Sequence, residues 1–129
     1  MGAYRQTGWY EGHHGWKERN RVYLDACDAL FREVATKAIE QAGLKPSDID
    51  GVVMVSTTGI ATPSIEARNG PAIGLRDDAR RVPIFGMGCA GGVNGLATAA
   101  RLAESQRVVL LLPRLREGVD VPASAPSWC

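Results

Sequence analysis

Val82-Pro83-Ile84-Phe85-Gly86-Met87-Gly88-Cys89-Ala90-Gly91-Gly92 decides how this chain is read. The apolar run Val82 to Phe85 predicts a strand, and Ala90 to Ser105 predicts a helix rich in small residues. Cys89 then falls at a strand-to-helix junction, where unpaired N–H groups and the positive end of the helix dipole converge. Such a place favours thiolate over thiol and lowers a cysteine pKa from about 8.5 to roughly 3.5–7.5. The flanking glycines keep side chains away, so a carbonyl can approach the sulfur while backbone amides face the developing oxyanion. One reading is a nucleophilic cysteine that accepts an acyl group. The other is a buried, inert cysteine beside a tight turn, and spacing alone does not separate the two.

Gly86-Met87-Gly88-Cys89-Ala90-Gly91 also satisfies G-x-G-x-x-G, the dinucleotide-binding fingerprint. That motif needs an acidic residue about 20 residues on, at the end of the next strand, to hold a ribose. Here the next strand is Val108-Val109-Leu110-Leu111-Leu112, followed by Pro113 and Arg114. The unit also follows a strand and two helices, whereas a dinucleotide unit normally opens its domain.

Working outward, Gly51 to Thr57 predicts a strand whose Val52-Val53-Met54-Val55 core suits a strand covered on both faces. Before it, Glu18 to Ala42 carries a helical stripe: Tyr23, Cys27, Leu30, Val34 and Ala38, widened by Leu24, Phe31, Ala35 and Ile39. Gly43 supplies a C′ residue and Pro46 a stop signal. After the strand, Thr57-Thr58-Gly59-Ile60-Ala61-Thr62-Pro63 reads as a loop, and Ser64 can cap a helix running to about Ile73. Pro71 should kink or break that helix. Residues 1–17, with Tyr4, Trp9, Tyr10 and Trp16 among glycines, suggest loop or short helical turns. The order α-β-α-β-α-β implies a mostly parallel sheet in a layered α/β fold, with ligands at the C-terminal ends of the strands. Both the threonine loop and Cys89 lie there.

Composition narrows the function classes. The chain has 129 residues, enough for one domain or a piece of one. Fifteen Lys and Arg balance 14 Asp and Glu, a net charge of +1 that gives no reason to invoke nucleic acid or an anionic membrane. Cys27, Cys89 and Cys129 form neither a disulfide framework nor a metal pattern, so a reduced, cytoplasmic setting is expected, with no metal. The first residues show no apolar h-region and the longest aliphatic run is Val108 to Leu112, so neither secretion nor membrane spanning is expected. The helix after Cys89 carries Gly95, Leu96, Ala97, Ala99, Ala100, Leu102 and Ala103. A helix apolar on most faces is expected to be buried, yet a chain of this length cannot easily surround it, which suggests a missing part.

Several stretches together resemble the type III polyketide synthases, the chalcone and stilbene synthase-like enzymes of the thiolase superfamily. They are Ser56-Thr57-Thr58-Gly59-Ile60-Ala61-Thr62-Pro63-Ser64, Gly74-Leu75-Arg76, Arg80-Arg81-Val82-Pro83-Ile84-Phe85, and above all Gly86 to Gly92. The Pro63-to-Cys89 interval suits that family, and Trp16-x-x-Arg19-Asn20 with Tyr23 resembles the preceding segment in bacterial members. The likeness covers roughly residues 4 to 112. Ketoacyl-carrier-protein synthases of the initiating type share the fold, but their motif reads Ala-Cys-x-Gly-Phe rather than Gly-Cys-Ala-Gly-Gly.

The resemblance implies a thiolase-like layered α-β-α fold, here partial, with a buried nucleophile helix. It implies that Cys89 takes a starter acyl group from an acyl-CoA, and that a malonyl-CoA extender loses CO₂ and attacks it. Pyrone- or resorcinol-type products follow, with no cofactor beyond the coenzyme A thioesters. Thr57 and Thr58 match positions lining the acyl cavity, and Thr62 matches the loop residue that reaches the partner's site in the family homodimer. Family members pair the cysteine with a histidine and an asparagine far downstream, beyond the end of this chain. The segment with basic residues for the coenzyme A phosphates is also absent. This piece alone is therefore expected to be inactive in condensation; the alternatives are a non-catalytic truncated remnant or interaction module, or a condensing enzyme like the initiating ketoacyl-carrier-protein synthases. His13 and His14 are expected to be exposed loop residues, Cys27 a core residue and Cys129 an exposed thiol. Asn69-Gly70-Pro71 stands where the family has plain helix. Residues 1–112 are expected to form a partial family domain. The proline-rich 113–129 is unlike the family, and a disordered, truncated or out-of-frame end is expected there.

Overall fold

A computed structural model describes residues 7–112; the expectations for 113–129, including Cys129, lie outside that range. After a short turn of helix, α1 (Thr7–Tyr10), come α2 (Trp16–Gln41), β1 (Gly51–Ser56), α3 (Ile65–Asn69), β2 (Arg80–Phe85), α4 (Ala90–Ala103) and β3 (Val108–Leu111). The three strands form one parallel sheet in the order β2-β1-β3. The layered α/β arrangement and the parallel sheet are as the sequence predicts.

β1 is central and alternates between two cores. Val52 and Met54 join Phe31, Ala35 and Ile39 of α2 and Ile65 of α3. Val55, on the opposite face, meets α4. Val52, Val53 and Val55 are almost wholly buried, each such side chain contributing about 1.5–3 kcal/mol to the folded state. The close approach of α4 has a direct cause: a Cβ at Gly91 would lie 2.9 Å from Val55 Cγ1, and one at Gly95 2.5 Å from Val55 Cγ2. Two glycines one turn apart let the helix backbone rest on the strand's side chains.

α2 ends as its sequence predicts. Gly43 takes φ 69°, its N–H bonds Glu40 O, and Leu44 N–H bonds Ile39 O, the paired reverse bonds of a Schellman stop. Pro71 ends α3 early, and the chain continues as a 3₁₀ turn over Pro71–Ile73. β2 starts at Arg80, two residues before the predicted run. As an edge strand it leaves Arg80 and Arg81 exposed, so hydrophobicity does not mark them. Pro83 is tolerated on this edge. The expected burial of the nucleophile helix holds on one face only: Gly91, Gly95 and Ala99 are buried, while Val93 and Leu96 are 75% and 61% exposed.

Candidate active site

The chemistry-bearing residues gather at the C-terminal end of the sheet. β2 ends at Phe85, and Gly86 (φ 80°) and Gly88 (φ 53°) turn the chain into α4. These left-handed positions are open to glycine at little cost, which is what the elbow requires. Cys89 is the N-cap of α4 and is exposed, so the burial that the second reading expects is not found. One part of the sequence reading is corrected. The N–H groups of Ala90 and Gly91 do not face outward unpaired; they close the elbow by bonding Met87 O (3.2 Å) and Gly88 O (3.0 Å). So tight a turn uses its own first amides.

Across the strand pair, Ser56 at the end of β1 is in register with Phe85. The threonine loop leaves from there, with Thr57 half-buried and Thr58 and Thr62 exposed. Beside it lies a cavity of about 130 Å³ walled by Met54, Ser56, Gly59, Ile60, Ala61, Glu66, Pro83, Ile84 and Phe85 among others. The loop thus reaches this cavity through its glycine and aliphatic residues, and the three threonines stand outside its wall. Ser64 occupies the N-cap of α3 as expected, but its side chain makes no capping bond.

The loop is tied to α2. Asn20 Oδ1 accepts from Ile60 N–H at 2.9 Å, and Asn20 Nδ2 donates to Ile60 O at 3.0 Å. One turn on, Tyr23 hydroxyl bonds Ser56 Oγ, which donates to Gly59 O at 2.9 Å. Burial pushes the Tyr23 hydroxyl well above its ordinary pKa, so it stays a donor. Cys27, half-buried beside it, is also pushed up, mainly by burial.

The residue that sequence reasoning misses is Glu66. It is 1% exposed, and neither carboxylate oxygen has a hydrogen-bond partner among the described residues. An acid in the first turn of a helix ordinarily reads as a complement to the dipole, which hides it. The available signal is the inward face Ile65, Glu66, Asn69, buried together.

Comparison with known proteins decides the family. The model of the chalcone and stilbene synthases, N-terminal domain, matches residues 9–115. The chain belongs to that family. A 1,3,6,8-tetrahydroxynaphthalene synthase of Streptomyces peucetius subsp. caesius is 42% identical over 87 residues, covering 67% of this chain and 23% of that protein. Type III polyketide synthase A of Arabidopsis thaliana is 33% identical, covering 74% and 24%. The crystal structure of 1,3,6,8-tetrahydroxynaphthalene synthase from Streptomyces coelicolor A3(2) superposes with a TM-score of 0.73 at 29% identity, over 78% of this chain and 29% of that one. The fold also matches CsyB complexed with CoA-SH, with a TM-score of 0.65 at 24% identity over 74% and 27%. These relatives are enzymes, and the chain spans about a quarter of the length of the curated relatives.

Two other readings close here. His13 is exposed, but His14 is half-buried, a correction to its expected exposure. Its ring stacks on Trp9 at 4.1 Å, Nε2 meets Trp9 O at 2.7 Å and Nδ1 meets Glu18 at 2.9 Å. Those two acceptors raise its pKa, Glu18 most. Among the described residues no cluster of metal-binding side chains exists, and no helix is long and apolar enough to cross a membrane.

Proposed function

We propose that this chain carries the acyl-loading half of a type III polyketide synthase site, with Cys89 as nucleophile. The supporting observation is the exposed cysteine at the N-cap of a helix whose first turn is stripped to Ala90, Gly91 and Gly92. The thiolate attacks the carbonyl of an acyl-CoA, the carbon–sulfur bond to coenzyme A breaks, and coenzyme A leaves as its thiolate, which takes a proton from solvent. The acyl group is then held as a thioester on Cys89. In the complete reaction a malonyl-CoA loses CO₂, its enolate carbon attacks that thioester, and Cys89 is released as thiolate. Thr57 and Thr58 belong to the loop that bounds the acyl site without lining the cavity itself, and Thr62 reaches toward the second subunit of a homodimer. No metal or redox cofactor takes part.

The residues present suit loading better than condensation. Decarboxylation needs donors for the enolate, whereas His14 is engaged by Trp9 and Glu18. The test is incubation with acyl-CoA thioesters, followed by intact mass and peptide mapping. One hydroxylamine-labile adduct on Cys89 is expected, none on Cys27, and none in Cys89→Ala. Absence of an adduct on Cys89 rejects the reading and leaves a non-catalytic remnant.

A further inference from the structure

The threonine loop is held by one helix through two side chains a single turn apart, and both grip groups that form the cavity wall. Asn20 meets both main-chain polar groups of Ile60, as a neighbouring strand would. Although Ile60 is 45% exposed, its N–H is given to Asn20 Oδ1. Tyr23 reaches Ser56, and with the Ser56 hydrogen given to Gly59 O, the phenol is the donor. The Tyr23 ring also blocks the loop from the α2 side: a Cβ at Gly59 would lie 2.2 Å from its Cδ1. Ser56, Gly59 and Ile60 all line the cavity, whose far wall includes Phe85, four residues before Cys89. Thr57 and Thr58 are bracketed between two of these anchors, and Thr62 follows the third by two residues.

We propose that Asn20 and Tyr23 are positioning residues that set the width of this cavity from α2, and so decide which acyl groups reach Cys89. This rests on the acyl-loading reading. Neither residue touches the acyl group; each acts through the loop. A cavity of about 130 Å³ admits a short apolar chain, and loosening the loop opens it to longer ones.

Asn20→Ala, Asn20→Asp and Tyr23→Phe test this in the whole chain, with two readouts. The first is amide exchange by NMR. Asn20→Ala should speed exchange at Ile60 by about tenfold or more, with Val53 in β1 unchanged. Asn20→Asp keeps the acceptor for Ile60 N–H and should fall between. No change at Ile60, or an equal rise along β1, overturns the positioning role. The second readout is Cys89 acylation across thioesters from acetyl to decanoyl. Asn20→Ala and Tyr23→Phe should shift the preference toward longer chains by about tenfold relative to acetyl. Local exchange with an unshifted profile overturns the selectivity. If the unsubstituted chain accepts no thioester, acyl loading itself falls, while exchange at Ile60 still decides whether α2 holds the loop.

Discussion

The two ends of the parallel sheet are built on opposite terms. At the N-terminal end the polar groups close on one another. Asp50 N–H bonds Arg107 O at 2.8 Å, Arg107 N–H bonds Asp50 Oδ2 at 2.8 Å, and Arg80 N–H bonds Asp50 O at 2.8 Å. Arg76 adds a guanidinium contact to Asp50 at 3.2 Å. One residue thus laces β1 to both neighbours; among the side chains of the described residues, the Gln106 amide oxygen is buried there without a partner. At the C-terminal end, Glu66 is buried with neither oxygen met, Cys89 is exposed, and Ile60, Phe85 and Met87 present apolar surface. Parallel strands permit this division, because every strand brings its N-terminus to one edge and its loop to the other. The first edge closes its polar groups on one another, and the second leaves unmet polar and apolar groups beside the proposed site.

The face beneath α4 joins the two ends, and breaking it should have the largest effect. Gly95→Val places side-chain atoms where Val55 already stands, and the strain should cost about 1–3 kcal/mol in chemical denaturation. Gly92 has nothing within 4 Å of its virtual Cβ, so Gly92→Ala should be neutral or gain up to about 1 kcal/mol. Equal effects at both positions would mean that α4 does not rest on β1 through its glycines.

Glu66 sharpens the contrast in the other direction. Glu66→Met keeps the volume and removes a buried carboxyl group that has no partner among the described residues. Leaving such a group buried and unmet costs about 1–3 kcal/mol, and a gain near the low end is expected in the denaturation midpoint. A loss of stability would show that the carboxylate has found a partner, and that this end of the sheet is as closed as the other.

What the sequence made legible follows from how local each cause is. β1 is readable because Val52 to Val55 is apolar on both faces, and the elbow because Gly86 and Gly88 announce a turn that other residues resist. The stop at Gly43 is readable for the same reason. The arginines of β2 escape because an edge strand hides no side chain there. The fit of Gly91 and Gly95 over Val55 depends on helix-to-strand register, and the Asn20–Ile60 pair spans 40 residues; neither leaves a trace in local pattern. That the Ala90 and Gly91 amides close the elbow is not legible either, because their use within the turn depends on how tightly it folds. His14 escaped exposure through partners on either side of it, Trp9 and Glu18, that its own loop setting does not advertise.

The smallest expected effect probes the closed end by acid. Asp50 titrates below its ordinary 3.8, chiefly because the Arg107 N–H bonds its carboxylate, with Arg76 adding a hydrogen bond and charge against an opposing cost of desolvation. A carboxylate whose pKa is depressed in the folded state stabilises that state above the unfolded value, and the contribution fades as pH falls through the folded one. Denaturation midpoints from about pH 6 to about pH 2 should therefore drop more steeply in the unsubstituted chain than in Asp50→Asn, with the divergence opening below about pH 4. The amide still accepts from Arg107 through Oδ1 but carries no charge for Arg76, so the difference between the two curves isolates the charge. High salt should shrink the part owed to Arg76, which lies at the surface, and spare the part owed to the Arg107 backbone. Parallel curves would mean that the lacing at this edge is geometric alone, and that the division between the two ends does not rest on ionisation.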